Sequence, residues 1–151
     1  MKTLYFKETI DASPSKVHNL MLSKKSYEEW TKPFSPTSTF QGDWSSGSKI
    51  FFVSTDEDKK DMGMIARVET NIPGEIVIIR HIGILSDQGE LYEGEHVDPW
   101  KNSLEIYRFK AVGNQTEVLC SLEVDNDEYE EMFAAMWPNA MKVLKDICER
   151  S

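Results

Sequence analysis

The sequence predicts an α+β fold in which a seven-stranded antiparallel sheet wraps around one long C-terminal helix, with two short helices after the first strand. Three observations lead there. Residues 38–124 read as strands separated by turns. Residues 126–151 instead place Tyr129, Met132, Phe133, Met136, Ala140, Leu144 and Ile147 at helical spacing. Between the first strand and these segments, Asp11-Ala12-Ser13-Pro14 is a helix entry signal, because Ser13 can cap orphan amides and Pro14 suits the first helical position. A long amphipathic helix after antiparallel strands packs on the concave face of the sheet, and a curved sheet closed by one helix tends to leave a cavity for an apolar ligand.

The elements follow in order. Residues 3–10 alternate, with Leu4, Phe6 and Ile10 on one side, and form the first strand. A short helix runs through Val17, Leu20, Met21 and Leu22, and a second helical turn over 26–30 stops at Lys32-Pro33. Strands 37–42 and 49–54 flank the turn 43–47, and 56–61 is a polar turn. Strands 62–70 and 75–83 form a hairpin around Ile72-Pro73-Gly74, and strands 103–111 and 116–124 another around Gly113-Asn114. The acidic connection 84–102 carries a helical turn near 95–100, and connections of this length are often functional. Pro138 falls inside the last helix, where a proline removes a ladder hydrogen bond and clashes with the carbonyl four residues earlier. A kink there leaves Met141, Leu144 and Ile147 on the sheet and bends Met132, Phe133 and Met136 across the cavity opening.

A chain of 151 residues, 40% hydrophobic and 28% charged, fits one globular domain over residues 1–151, without internal repeats or linkers. The net charge of −9, concentrated at 87–98 and 123–131, repels phosphate backbones and argues against nucleic acid as a partner. No apolar run approaches the ~20 residues of a membrane span, and no secretory h-region opens the chain. Two cysteines, Cys120 and Cys148, suggest buried thiols in a reducing compartment, so the expected location is the cytoplasm.

Charges decide which faces point inward. Arg67, Glu69 and Arg80 mark the solvent face of one hairpin, leaving Met64, Ala66 and Val68 opposite Val77, Ile79 and His81 inside. Arg108, Lys110, Glu117 and Glu123 mark the outside of the other, leaving Glu105, Tyr107, Phe109, Val118, Cys120 and Leu122 inside. Lys7 points out, so Phe6 and Glu8 point in. The interior is then apolar and aromatic apart from Glu8, His81, Glu105 and Tyr107, the composition of a small-molecule site. Each exception also has a structural explanation: a satisfied core histidine, a tyrosine reaching one partner, or carboxylates at a wet rim. The candidate ligand-contacting residues are Trp30, Phe52, Met64, His81, Glu105, Tyr107, Met132, Phe133 and Met136. Methionines adapt to varied ligands but also fill cores.

The order of elements resembles the START/Bet v 1-like (SRPBCC) helix-grip superfamily. The strings Ile10-Asp11-Ala12-Ser13-Pro14-Ser15-Lys16-Val17, Tyr27-Glu28-Glu29-Trp30, Gly42-Asp43-Trp44-Ser45-Ser46-Gly47-Ser48-Lys49-Ile50 and Trp137-Pro138-Asn139-Ala140 resemble the branch named after the C-terminal domain of the Hsp90 ATPase activator (AHSA1-like). One departure is His18, where relatives often carry tryptophan. The resemblance implies the helix-grip fold, which hosts lipid carriers, hormone receptors, aromatases, cyclases and chaperone partners.

Chemistry is sparse. His18, His81 and His96 lie on a helix, a strand and a loop, with no metal-ligand spacing among them, and no cofactor is implied. No Gly-rich phosphate loop or Gly-x-Ser-x-Gly elbow occurs, and a Cys120 buried in a strand argues against a nucleophile. The expected function is a soluble binding protein holding an apolar or aromatic small molecule between sheet and helix. The alternatives are a cyclase- or aromatase-like enzyme using His81, Tyr107 or Glu105 as acid or base, and a chaperone partner acting through its surface. A His81–carboxylate pair favours the enzyme, a dry apolar pocket the carrier, and a filled interior with an exposed patch the protein partner.

Overall fold

The computed structural model describes residues 1–55, 58 and 60–151. Of the turn expected over 56–61, residues 56, 57 and 59 lie outside the described residues. The chain runs through β1 (Lys2–Ile10), α1 (Pro14–Leu22), α2 (Lys24–Trp30), β2 (Thr39–Gly42), β3 (Lys49–Thr55), β4 (Asp61–Ile72), β5 (Ile76–Ser86), β6 (Gly89–Leu91), β7 (Leu104–Val112), β8 (Gln115–Val124) and α3 (Asp127–Arg150). Seven strands form one antiparallel path in the order β1-β8-β7-β5-β4-β3-β2. The eighth, β6, pairs only with the end of β5 and occupies part of the expected acidic connection. Three residues of a polar connection carry too weak an alternation to announce a strand from sequence.

The local signals behave as their chemistry requires. Ser13 caps α1 by accepting from the Lys16 amide at 3.2 Å, and Pro14 takes the first turn. Asn126 caps α3 by accepting from the Tyr129 amide at 2.9 Å, while Asp127, Glu128 and Glu130 complement the positive end of the helix dipole. Gly74 provides the left-handed φ of +73° that the β4–β5 turn needs. At Gly63 a Cβ would sit 1.8 Å from the Phe52 carbonyl, so the close approach of β4 to β3 requires glycine. At 95–100, where a helical turn is expected, turns follow one another without forming a regular helix: Val97 and Asp98 both donate to the Gly94 carbonyl, Trp100 and Lys101 to the carbonyl of the buried Val97.

The register of the β4–β5 hairpin departs from strict alternation twice. Ile65 pairs with Gly83 but Ala66 with His81, leaving Ile82 as an extra residue on β5. Val68 pairs with Ile79 but Thr70 with Ile78, leaving Glu69 extra on β4. The inward set contains Met64, Ala66, Val68, Val77, Ile79 and His81 as expected. The bulges change their partners: Met64 lies opposite Ile84, and Val77 opposite Asn71. Asn71 thereby turns inward. His18 Nε2 donates to its Oδ1 at 2.7 Å, while its Nδ2 donates to the Trp44 carbonyl at 2.9 Å. His18 also meets Phe109 edge to face, so it is a buried tie between α1 and the sheet.

The C-terminal half of α3 lies on the sheet, with Ala140, Met141, Leu144, Ile147 and Cys148 buried. Polar ties fix it to the end of β1: Lys145 Nζ donates to the Thr9 carbonyl at 2.7 Å, and Glu149 accepts from the Asp11 amide at 2.9 Å. Among the described residues no helix is long and apolar enough to cross a membrane. The helix runs from Asp127 to Arg150 through an exposed Pro138. A proline in a helix interior is disfavoured by ~3 kcal/mol relative to alanine. Pro138→Ala is therefore expected to hold or raise the denaturant midpoint while altering ligand access to the cavity. A clear fall in the midpoint in chemical denaturation would contradict this.

Candidate functional site

Between the inner face of the sheet and the N-terminal half of α3 lies a cavity of about 420 Å³. Its placement follows from helix periodicity. Met132, Phe133 and Met136 point from the first turns of α3 into it, and Trp137 begins the part of the helix that is buried. The sheet contributes Phe52, Met64, His81, Ile84, Glu105, Tyr107 and Leu122, while α2 and the chain after it contribute Tyr27, Trp30, Phe34 and Ser38. The turns before β7 add Trp100, which packs on Tyr129 at 4.4 Å and on Phe133 at 6.3 Å between ring centroids.

All nine residues selected from the sequence border this one cavity: Trp30, Phe52, Met64, His81, Glu105, Tyr107, Met132, Phe133 and Met136. Trp30 and Tyr107 are almost wholly buried, whereas Met132 is 36% exposed and stands at the rim. Glu8 is half-buried on β1 opposite Val118 and does not line the cavity. Sequence reasoning missed Tyr27, Phe34, Ile84, Trp100, Tyr129 and Trp137. Tyr129 belongs to the apolar stripe of α3 and could have been found from it. Ile84 is invisible without the Ile82 bulge, and Trp100 without the path of the turns.

One aromatic network closes the inner end. Trp137 stacks on Phe6 and meets Trp30, Phe34 and Tyr107 at centroid separations of 5.2 to 6.2 Å. Tyr27 does the same on the other side with Trp30, Phe40, Trp44 and Phe52. Trp30 Nε1 donates to the Met21 carbonyl at 2.9 Å, which fixes the ring.

The polar wall is a chain of three side chains. His81 Nε2 lies 3.3 Å from Glu105 Oε1, and the Tyr107 hydroxyl donates to Glu105 Oε2. The His81 and Glu105 side chains are only 10% and 16% exposed. Two buried polar atoms among the described residues have no partner, Trp44 Nε1 and His81 Nδ1. Burial pushes the Tyr107 phenol well above its usual range, and the Glu105 charge adds to that effect. The Tyr27 phenol and the Cys120 thiol are raised in the same way, by burial first and the Glu105 charge second. Among the described residues no group of three or more His, Cys, Asp or Glu side chains is arranged to hold a metal ion.

No family model matches the sequence, and no curated relative does. Solved structures do match over nearly the whole chain. A protein from Mesorhizobium loti superposes with a TM-score of 0.73 at 12% identity, covering 99% of this chain and 98% of that one. The Aha1 dimer from Colwellia psychrerythraea has a TM-score of 0.71 at 20% identity, covering 99% and 97%. The fold is the helix-grip (Bet v 1-like) fold. An uncharacterised protein from Rhizobium leguminosarum shares this helix-grip architecture at 14% identity, with a TM-score of 0.71 and coverage of 99% and 95%. At these identities the likeness is one of fold, and the chemistry of the helix-grip cavity has to be read from its own residues.

Both thiols are buried and unpaired with each other. Burial raises Cys148 to about 11 from an ordinary value of 9.0. Below pH 9 this thiol is uncharged in folded and unfolded chains alike, so its contribution to stability is constant. As pH rises from 9 to about 11 the unfolded chain ionises first, and stability falls. A thiol-disulfide reagent at pH 8 is expected to label neither cysteine in the native protein and both after denaturation. Rapid native labelling followed by absorbance would show a thiol that is accessible or acidic.

Proposed function

We propose that the protein binds an apolar or aromatic small molecule in the cavity between the sheet and α3. The observation that carries this is the lining itself: apart from a short polar wall, about 420 Å³ is enclosed by aromatic rings, aliphatic chains and three methionines. That volume falls within the roughly 300–1,000 Å³ of small-molecule pockets. Met64, Met132 and Met136 suit a ligand-adapting lining, since their unbranched chains reshape at little cost.

The His81–Glu105 contact is the observation that favours the enzymatic alternative. A general base must present a free nitrogen to substrate. His81 Nε2 is engaged with Glu105, and Nδ1 is buried without access to solvent or to any partner. The Tyr107 proton is likewise directed at Glu105. The imidazole and phenol are thus both turned to Glu105 and not to the cavity, which supports binding over acid–base turnover. A chaperone partner draws support only from the architecture shared with Colwellia Aha1.

The neutral fluorophore N-phenylnaphthylamine tests the binding reading. Its emission is expected to rise and shift to the blue with the wild-type protein. In Met64→Trp, whose indole intrudes into the cavity, its affinity should fall at least about tenfold through overpacking. Absence of enhancement, or equal affinity in a correctly folded Met64→Trp, would overturn the proposal. Native mass spectrometry of protein from its own host would then identify any retained molecule.

A further inference from the structure

Resting on the cavity reading above, we infer that the bound molecule is a cation, an amine or other protonated nitrogen carried on an apolar or aromatic body, with its positive charge set against Glu105. The charge inventory of the cavity is one-sided. Among the described residues lining it are the carboxylates Glu105 and Glu123 but no lysine or arginine, and His81 carries the one titratable nitrogen of that set. Glu123, expected on the outer face, instead accepts from the Leu104 amide at 2.7 Å just before β7 and so reaches the cavity lining. Glu105 is deeper, 16% exposed, and held by one imidazole nitrogen and one phenol. A carboxylate removed from water is costly unless a full counter-charge or enough donors replace its hydration. An ionised carboxylate offers about four lone-pair sites, and two donors leave room for more. An ammonium in the cavity supplies both the missing donors and the missing charge.

The rest of the lining suits the same guest. Nine of the twenty described lining residues are Phe, Tyr or Trp, and the face of an aromatic ring attracts a cation within ~6 Å of its centroid. Tyr107 joins the two features: its ring borders the cavity and its hydroxyl holds Glu105. Tyr27, Tyr107 and Cys120 are raised by burial first and by the Glu105 charge second, so this carboxylate bears on two lining phenols and on a thiol nearby. The approach has the same sign. The turns of α3 that bring Tyr129 and Met132 to the rim also carry Asp127, Glu128 and Glu131, besides Glu130, which is ion-paired with Lys2 at 2.8 Å. Such a mouth concentrates cations and repels anions. A fatty acid or other carboxylate would set a second negative charge beside Glu105 with no cationic side chain on the lining to balance it.

Three probes that share one ring system and differ in charge decide the matter: tryptamine, the neutral alcohol tryptophol, and indoleacetate. Each is titrated into isotope-labelled protein while amide shifts are followed by NMR. Tryptamine is expected to bind about tenfold more tightly than tryptophol, with indoleacetate weakest. In Glu105→Gln the ratio of tryptamine to tryptophol affinity should collapse towards unity. If that variant fails to fold, as judged from its amide dispersion, the ranking in the wild-type protein decides alone. Equal binding of the three, or tighter binding of indoleacetate, overturns the cation inference and leaves the cavity reading standing. A tryptamine preference that survives in folded Glu105→Gln overturns the role given to Glu105. Failure of all three probes to shift any cavity residue overturns both readings.

Discussion

The architecture depends on one side chain at the middle of the last helix. Trp137 is buried where β1, α2, β7 and the chain after α2 converge, packed against Phe6, Trp30, Tyr107 and Phe34. Removing a buried tryptophan of this kind costs about 3–5 kcal/mol, a large part of the stability of an ordinary domain. The position matters as much as the energy. C-terminal to Trp137 the helix is held down by Ala140, Met141, Leu144 and Ile147. On its N-terminal side the inward residues are the half-exposed Phe133 and Met136 and the exposed Met132. The same ring that seals the core also forms the inner end of the cavity.

The sheet reaches that geometry by breaking its own alternation. The extra residue at Ile82 lets His81 and Ile84 face the same side, although strict alternation forbids it. The extra residue at Glu69 turns Asn71 inward to meet His18 and the Trp44 carbonyl. A buried polar group is tolerated only when its partners are built with it. Here the bulges place those partners, so the distortions of the hairpin and the polar residues inside it are one feature.

The cavity carries the opposite arrangement on its other wall. His81 and Tyr107 both turn to Glu105, and His81 Nδ1 keeps no partner, in surroundings dominated by rings and aliphatic chains. A low-polarity environment strengthens each of these contacts and raises the cost of the charge they surround. The protein is thus closely packed where α3 meets the sheet and electrostatically incomplete where α3 leaves it. Selectivity for the charge of a guest follows from that contrast without any motif recognisable along the chain.

The sequence by itself determined the order of the main elements, the cap of α1 and most of the inner faces. Ser13-Pro14 can begin a helix wherever it occurs, and the charges at Arg67, Arg80, Arg108 and Lys110 exclude one face of each hairpin from the core by desolvation alone. All nine candidate residues border the cavity because inward parity and the stripe on α3 are local properties. Tertiary structure alone decided the rest. Trp100 is brought to the rim by turns whose path no periodicity encodes, and Ile84 by a bulge that costs one ladder position. The strand β6 exists because β5 runs on past the hairpin and offers it an edge. The contact of His81 with Glu105 depends on the pairing of β5 with β7, whereas Tyr107 reaches Glu105 from two residues along the same strand. Contacts between segments distant along the chain are set by how the whole sheet curves around the helix, and local sequence carries no record of that curvature.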